Sequence, residues 1–284
     1  MSICIFYFSG TGNTWWTSNQ LATELEIKGR PATVHSIELL DADKTAELIE
    51  AAETVVFGYP IYGSAIPKPM KQFIDGLPKP SKTKKACIFC TQMEFSGDGA
   101  WYYHKALEDK GYDVKWTYHF KLPSNICIRS WPLPYVTDEG ELKKIFGKCT
   151  DKIKKAADSI IQDTASYTGN GFGSLMLGLL QRPFFNYYMD REKFKIPFAA
   201  DSEKCVKCMR CIQLCPTGNI KLADGEITFA NDCIFCMRCY NYCPKTAITA
   251  YGKHHNDKQP PYKGPEGFDP ALIAIRKNLA DFIE

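Results

Sequence analysis

No run of eighteen or more uncharged apolar residues occurs in the chain, which argues against an ordinary membrane-spanning helix. Met1 leads straight into a strand-like apolar stretch, without the basic region, apolar stretch and cleavage site of a secretory leader, so a soluble, cytoplasmic protein is expected. Charge of either sign is scarce in net terms. The formal total is +3, made of 0 over residues 1–163, +2 over 164–200, +1 over 201–251 and 0 beyond. Neither a basic footprint nor a nucleic-acid-reading motif is present, which excludes nucleic acid as the expected partner. The Gly-x4-Gly-Lys-Ser/Thr loop of nucleoside triphosphatases is missing, and so is any Gly-x-Gly-x-x-Gly fingerprint, which leaves direct use of a nicotinamide cofactor without support.

The first half of the chain alternates short apolar runs, at 3–8, 32–37, 54–58, 86–90 and 114–120, with helical patterns near 13–28, 43–52, 67–76, 98–110 and 138–163. Continuous apolar runs suit strands buried on both faces. Five of them alternating with helices predict an α/β fold with a five-stranded parallel doubly wound sheet, order 2-1-3-4-5, over residues 1–163.

Thirteen cysteines are many for a cytosolic protein, and eight of them fall between Cys205 and Cys243. The run Cys205-x2-Cys208-x2-Cys211-x3-Cys215-Pro216 recurs 28 residues later as Cys233-x2-Cys236-x2-Cys239-x3-Cys243-Pro244, with Met-Arg before the third Cys both times. Three thiolates spaced by two residues can fold round one face of an iron-sulfur cubane, while the fourth, after the longer spacer, points to the other cluster. Zinc is the competing metal, but structural zinc sites draw Cys or His pairs from separated knuckles. The predicted ligand sets are Cys205, Cys208, Cys211 and Cys243 for one cluster and Cys233, Cys236, Cys239 and Cys215 for the other. The scattered Cys4, Cys87, Cys90, Cys127 and Cys149 sit in or beside apolar runs and are read as packing residues. This run resembles the bacterial two-cluster ferredoxins over residues 201–251, and the resemblance implies an α+β ferredoxin-like domain with two 4Fe-4S clusters and one-electron, low-potential chemistry.

The first strand ends in Ser9-Gly10-Thr11-Gly12-Asn13-Thr14, a turn suited to phosphate. Glycines let backbone approach closely, exposed N–H groups at a helix N-terminus carry positive potential, and hydroxyls add donors. Two more loops follow strands that end at the same sheet edge: Gly58-Tyr59-Pro60-Ile61-Tyr62-Gly63, and Thr91 through Gly99. Together these residues resemble the flavodoxin family over residues 1–163. That resemblance implies FMN, with Ser9, Thr11, Gly12, Asn13 and Thr14 on the phosphate, Pro60, Ile61, Tyr62 and Gly63 on one side of the ring, and Thr91, Gln92, Phe95, Ser96, Gly97, Asp98 and Gly99 on the other. Tyr62 is the candidate for ring stacking. Ser-Gly-Asp-Gly stands where simpler flavodoxins carry Cys-Gly-Asp, and their acidic surplus is missing. At least one of Trp15 and Trp16 is expected to pack the first helix onto the sheet, though one could reach the cofactor, and the loop after the fifth strand, with Asn125 and Arg129, could approach the flavin.

Residues 164–200, apolar over 175–180 and aromatic-rich over 182–188, are too apolar for a solvated linker. They are expected to cover apolar surface, with a substrate lid or docking surface as the alternative. Residues 252–284 form a polar, Pro-rich stretch, in which His254 and His255 read as exposed loop residues, followed by an amphipathic segment at 271–283 that predicts a final helix.

The combination resembles the small flavodoxin-ferredoxin fusion proteins, the ferrodoxins, found largely in anaerobes. It implies a carrier or oxidoreductase in which clusters pass single electrons to an FMN able to hold two. An external redox protein or another reduced carrier would be the donor, with an unassigned acceptor. An FMN-dependent reductase of a small organic substrate is the alternative, and a redox or iron sensor the third reading.

Overall fold

The computed structural model describes residues 2–62, 65–128, 133–189, 198–274 and 277–283. Its larger unit is a parallel sheet in the order β2-β1-β3-β4-β5-β6. The strands are β1 (Ile3–Tyr7), β2 (Ala32–Ser36), β3 (Thr54–Pro60), β4 (Lys84–Gln92), β5 (Tyr112–Lys121) and the two-residue β6 (Ser166–Tyr167). The first five match the expected doubly wound order, and β6 adds a short sixth strand from the apolar connecting segment. Register fixes the two faces. Along β1, Cys4 and Phe6 join Val55, Phe57, Ile88 and Cys90 under Ile49, Met70, Ile74 and Leu107. Ile3 and Ile5 join Val56, Cys87, Phe89 and Trp116 on the opposite face. That period-2 division between two apolar layers is why the strands read as unbroken apolar runs.

The helices are α1 (Asn13–Ile27), α2 (Ala42–Ala51), α3 (Lys68–Asp75), α4 (His104–Glu108) and α5 (Glu139–Ile161). α1 and α5 pack through Leu21, Leu25, Ile153 and Ile160. The pattern at 98–110 gives a turn, a single 3-10 segment (Trp101–Tyr103) and the short α4, because Ala100 N–H is held by His119 Nε2 instead of starting a helix. Trp16 stacks edge-on against Phe146 of α5 at 4.8 Å, and Trp15 meets Phe268 of the tail at 5.5 Å, so both pack α1. Helix α6 (Phe172–Met189) occupies the apolar segment.

The second unit pairs β7 (Phe198–Ala200) antiparallel with β10 (Ile248–Ala250), and β8 (Ile220–Ala223) with β9 (Glu226–Phe229), around the short helices α7 (Arg210–Leu214) and α8 (Arg238–Asn241). The tail corrects one expectation: residues 271–283 form no α-helix among those described, only 3-10 turns at Pro270–Leu272 and Leu279–Phe282. Side chains of Asp269 and Asn278 cap the two turns, and Gln213 exchanges hydrogen bonds with the backbone of Lys277 in both directions, at 2.9 Å each. Tertiary bonds thus hold the backbone groups that a helix would have used. His254 and His255 are not free loop residues either: His254 lies against Thr246 O and Asp201, and His255 against Tyr240 O. Among the described residues, no helix is long and apolar enough to cross a membrane.

Candidate cofactor sites

The duplicated cysteine run builds two voids. Cys205, Cys208, Cys211 and Cys243 line the first, beside Pro244. Cys215, Cys233, Cys236 and Cys239 line the second, beside Pro216. Each void therefore takes three cysteines from one half of the repeat and the fourth from the other. The backbone repeats with the sequence: Lys207 and Phe235, Met209 and Met237, and Gly218 and Thr246 all have positive φ, each pair 28 residues apart. Non-glycine residues avoid that region, at about 1–2 kcal/mol each, unless the turned N–H groups gain something. Here they flank the cysteines, and downstream of the fourth cysteine of each half an amide turns to its sulfur. Asn219 N–H donates to Cys215 Sγ, and its repeat-mate Ala247 N–H donates to Cys243 Sγ, both at 3.2 Å.

Burial, and then repulsion from neighbouring thiols, pushes Cys211 up to about 12. Burial pushes Cys236 to about 12 as well, against a lowering influence from Arg238. Iron reverses that preference, since it binds thiolates. Among the described residues no three His, Cys, Asp or Glu side chains gather as a single-ion site, and the eight thiols stand round voids instead. Sγ-directed amides and voids ringed by four thiols fit clusters. Burial raises the scattered thiols too, Cys4, Cys90, Cys127 and Cys149 to between about 11 and about 12 and Cys87 higher still; Cys4, Cys87, Cys90 and Cys149 sit in the apolar layers of the sheet, whereas Cys127 also donates its thiol to Asn241 Oδ1 at 2.8 Å.

The β1–α1 turn is built for an anion. Gly12 has φ 103° and leads α1 with no side-chain cap, so the first amides of the helix remain as donors. Ser9 Oγ accepts Gly12 N–H at 3.1 Å, and Thr11 Oγ1 accepts from Asn125 at 2.9 Å. Each hydroxyl is thereby pinned as an acceptor and keeps its own proton for a phosphate oxygen. Thr14 and Thr91 share a hydrogen bond between hydroxyls at 2.8 Å, which ties the first loop to the fourth strand. Asn13 is engaged at both ends of its side chain, with Pro123 O and Tyr262, leaving its backbone N–H for the anion. These residues fit a phosphate. Asn125, on the loop after the fifth strand, stands beside this cradle through its bond to Thr11.

The ring-side residues are placed less uniformly. Pro60 and Ile61 end β3 half-buried, and Ile61 N–H bonds Thr91 O at 2.9 Å. Tyr62 turns its hydroxyl toward Gly10 and Cys236, with no hydrogen-bond partner among the described residues. Gly63 and Arg129 lie outside the described residues. In the fourth loop, Ser96 donates to Gln92 Oε1, Phe95 is exposed, and Gly99 stands beside His119. Asp98 forms a buried ion pair with Arg182 of α6. A Cβ on Gly97 would stand 2.5 Å from the Gly178 nitrogen, so α6 rides directly on this loop.

The two sites adjoin. A Cβ on Gly10 would stand 2.7 Å from the Cys236 carbonyl oxygen and against the Tyr62 hydroxyl. Arg238, between Cys236 and Cys239, is fully buried, and all five of its N–H donors are used. They reach Gly10 O at 3.0 Å, Ser9 O at 2.7 Å, Leu214 O at 3.2 Å and both carboxylate oxygens of Glu38. The sequence signal for this contact was the repeated Met-Arg, which by itself names no partner.

A family model for a flavodoxin domain matches residues 4–117, and one for a 4Fe-4S dicluster domain matches residues 189–248. Among solved structures, the chain is similar to a flavodoxin from the domain Archaea, at 18% identity over 56% of this chain and 99% of that one, with a TM-score of 0.37. It is also similar to the Megasphaera elsdenii flavodoxin (21%, 55% and 98%, TM-score 0.39) and to flavodoxin 2 of Bacillus cereus (17%, 57% and 99%, TM-score 0.43). A search of curated proteins found no match. The two domains in one chain match a flavodoxin–ferredoxin fusion, a class that implies FMN, 4Fe-4S iron-sulfur and electron transfer.

Proposed function

We propose that this chain couples one-electron to two-electron chemistry by moving electrons between two 4Fe-4S clusters and one FMN. Residues 1–163 hold the flavin and 201–251 the clusters, joined by 164–200 and braced by 252–284. The first cluster is held by Cys205, Cys208, Cys211 and Cys243, and the second by Cys233, Cys236, Cys239 and Cys215. Ser9, Thr11, Gly12, Asn13 and Thr14 hold the phosphate, with Pro60, Ile61, Tyr62, Gly63 and the Thr91–Gly99 loop round the ring. Bound FMN supplies the ability to accept electrons singly and release them as a pair.

The observation that carries this reading is the contact of Cys236 with Gly10, which sets the second void against the phosphate turn. Cys208, on the first void, is exposed. A cluster held at the first void would therefore be the one open to an external carrier, and one held at the second would be the one beside the flavin site. Rapid-mixing reduction tests the order. Cys208→Ser should slow cluster reduction by a protein donor, whereas Cys236→Ser should leave that step and block flavin reduction; flavin reduction that survives loss of the second cluster contradicts it.

One observation favours a second reading, that reduced FMN serves a small organic substrate. Helix α6 is seated on the fourth loop while Phe172, Met176, Leu179 and Leu180 along it stay exposed, a surface larger than packing requires. Substrate-dependent reoxidation of the flavin in a broad acceptor screen supports this reading, and its absence with rapid transfer to other carriers supports the pure carrier.

A further inference from the structure

We propose that Arg238 makes FMN binding conditional on the second cluster, an inference that rests on the two-cofactor reading above. Cys236 and Cys239 stand two residues before and one after Arg238, so a cluster bound by both fixes its backbone. Its guanidinium then holds the carbonyls of Ser9 and Gly10. In a trans peptide the C=O and the following N–H point in opposite directions. Fixing those two carbonyls toward Arg238 therefore turns the N–H groups of Gly10 and Thr11 the other way, where the turn receives its anion.

Glu38 cancels most of the guanidinium charge and grips it through both oxygens, so Arg238 acts by orientation more than by attraction. Gly10 makes the approach possible, because any side chain there would collide with the Cys236 carbonyl. Among the described residues, the first half of the repeat shows no such link. Arg210, in the equivalent position, pairs at the surface with Asp269 at 2.9 Å. The second cluster, and not the first, should govern the flavin site.

The test measures the FMN dissociation constant by flavin fluorescence in iron-loaded full-length protein and its variants. Arg238→Met and Cys236→Ser should each raise it at least about tenfold, the loss expected for two charge-assisted hydrogen bonds. Combining them should add little, since both break one link. Arg238→Lys, which can still reach one carbonyl, should recover part of the loss, and Cys208→Ser should stay within about twofold of the parent. Linkage requires the converse in unmutated protein: saturating FMN should slow chelator extraction of the second cluster and leave the first unaffected. If FMN binds equally well to Cys236→Ser and Cys208→Ser, and protects neither cluster, the proposal is overturned while the two-cofactor reading stands. If the iron-loaded parent binds no FMN, that reading falls with it.

Discussion

Cys215 and Cys243 each stand, in sequence, with the half-repeat whose void they do not line. Replacing Cys243 by Ser should therefore damage the cluster at Cys205, Cys208 and Cys211, which lie 32 to 38 residues earlier, and spare the one at Cys233, Cys236 and Cys239. Electron paramagnetic resonance of the reduced variant checks this, and loss of the second cluster alone would contradict it. The eight thiols were legible in the sequence because a cubane needs short, fixed spacings within each half. Arg238 was not, since its acceptor Ser9 lies 229 residues away and nothing local marks a guanidinium that will be buried. Gly10 was legible as a point of close approach to phosphate, but not as a point of contact between the two units, where a side chain would meet both the Tyr62 hydroxyl and the Cys236 carbonyl oxygen. Gly10→Ala should accordingly destabilise the folded protein by about 1–3 kcal/mol, as overpacking does, with the loss visible in denaturant melts of iron-loaded protein.

Helix α6 and the fourth loop meet through Asp98 and Arg182, both nearly buried. Removing one partner of such a pair strands the other charge, so Arg182→Met should lower stability by about 3–5 kcal/mol and raise hydrogen exchange in α6 and in residues 96–100. Unchanged exchange there would show that the pair does not seat the helix. β5 supports the same loop through His119, whose Nε2 accepts Ala100 N–H at 3.1 Å. Burial, with help from Lys152, lowers the imidazole to about 4 from 6.5. The unfolded chain takes up this proton near pH 6.5 and the folded chain only near pH 4, so acid favours unfolding through that window and stability rises with pH across it. The slope should be worth on the order of 3 kcal/mol in all and should flatten in His119→Gln, as followed by urea midpoints between pH 4 and 7. Strands were readable from unbroken apolar runs and the long helices from their period, with β1 to β5 and α1, α2, α3 and α5 close to their expected bounds. The tail was not, because an amphipathic pattern at 271–283 is satisfied equally by turns pinned to Gln213, and only tertiary hydrogen bonds decide between them.

At the scale of the molecule, the flavin-type unit and the cluster unit share a buried seam in which Arg238, Glu38, Tyr62, Gly10 and Cys236 meet. The tail closes the same seam from the other side, with Tyr262 on Asn13 and Phe268 on Trp15. Sequence patterns do not encode which loops touch. The central claim is that electrons pass inside one chain from cluster to flavin. Its most direct test is the rate of flavin reduction, after the clusters have been reduced by a brief radical pulse, measured across a wide range of protein concentrations. Transfer within the chain gives a first-order rate independent of concentration, with one FMN and about eight irons per chain in the sample. A rate that rises in proportion to concentration would mean that the electron travels between molecules, and would contradict it.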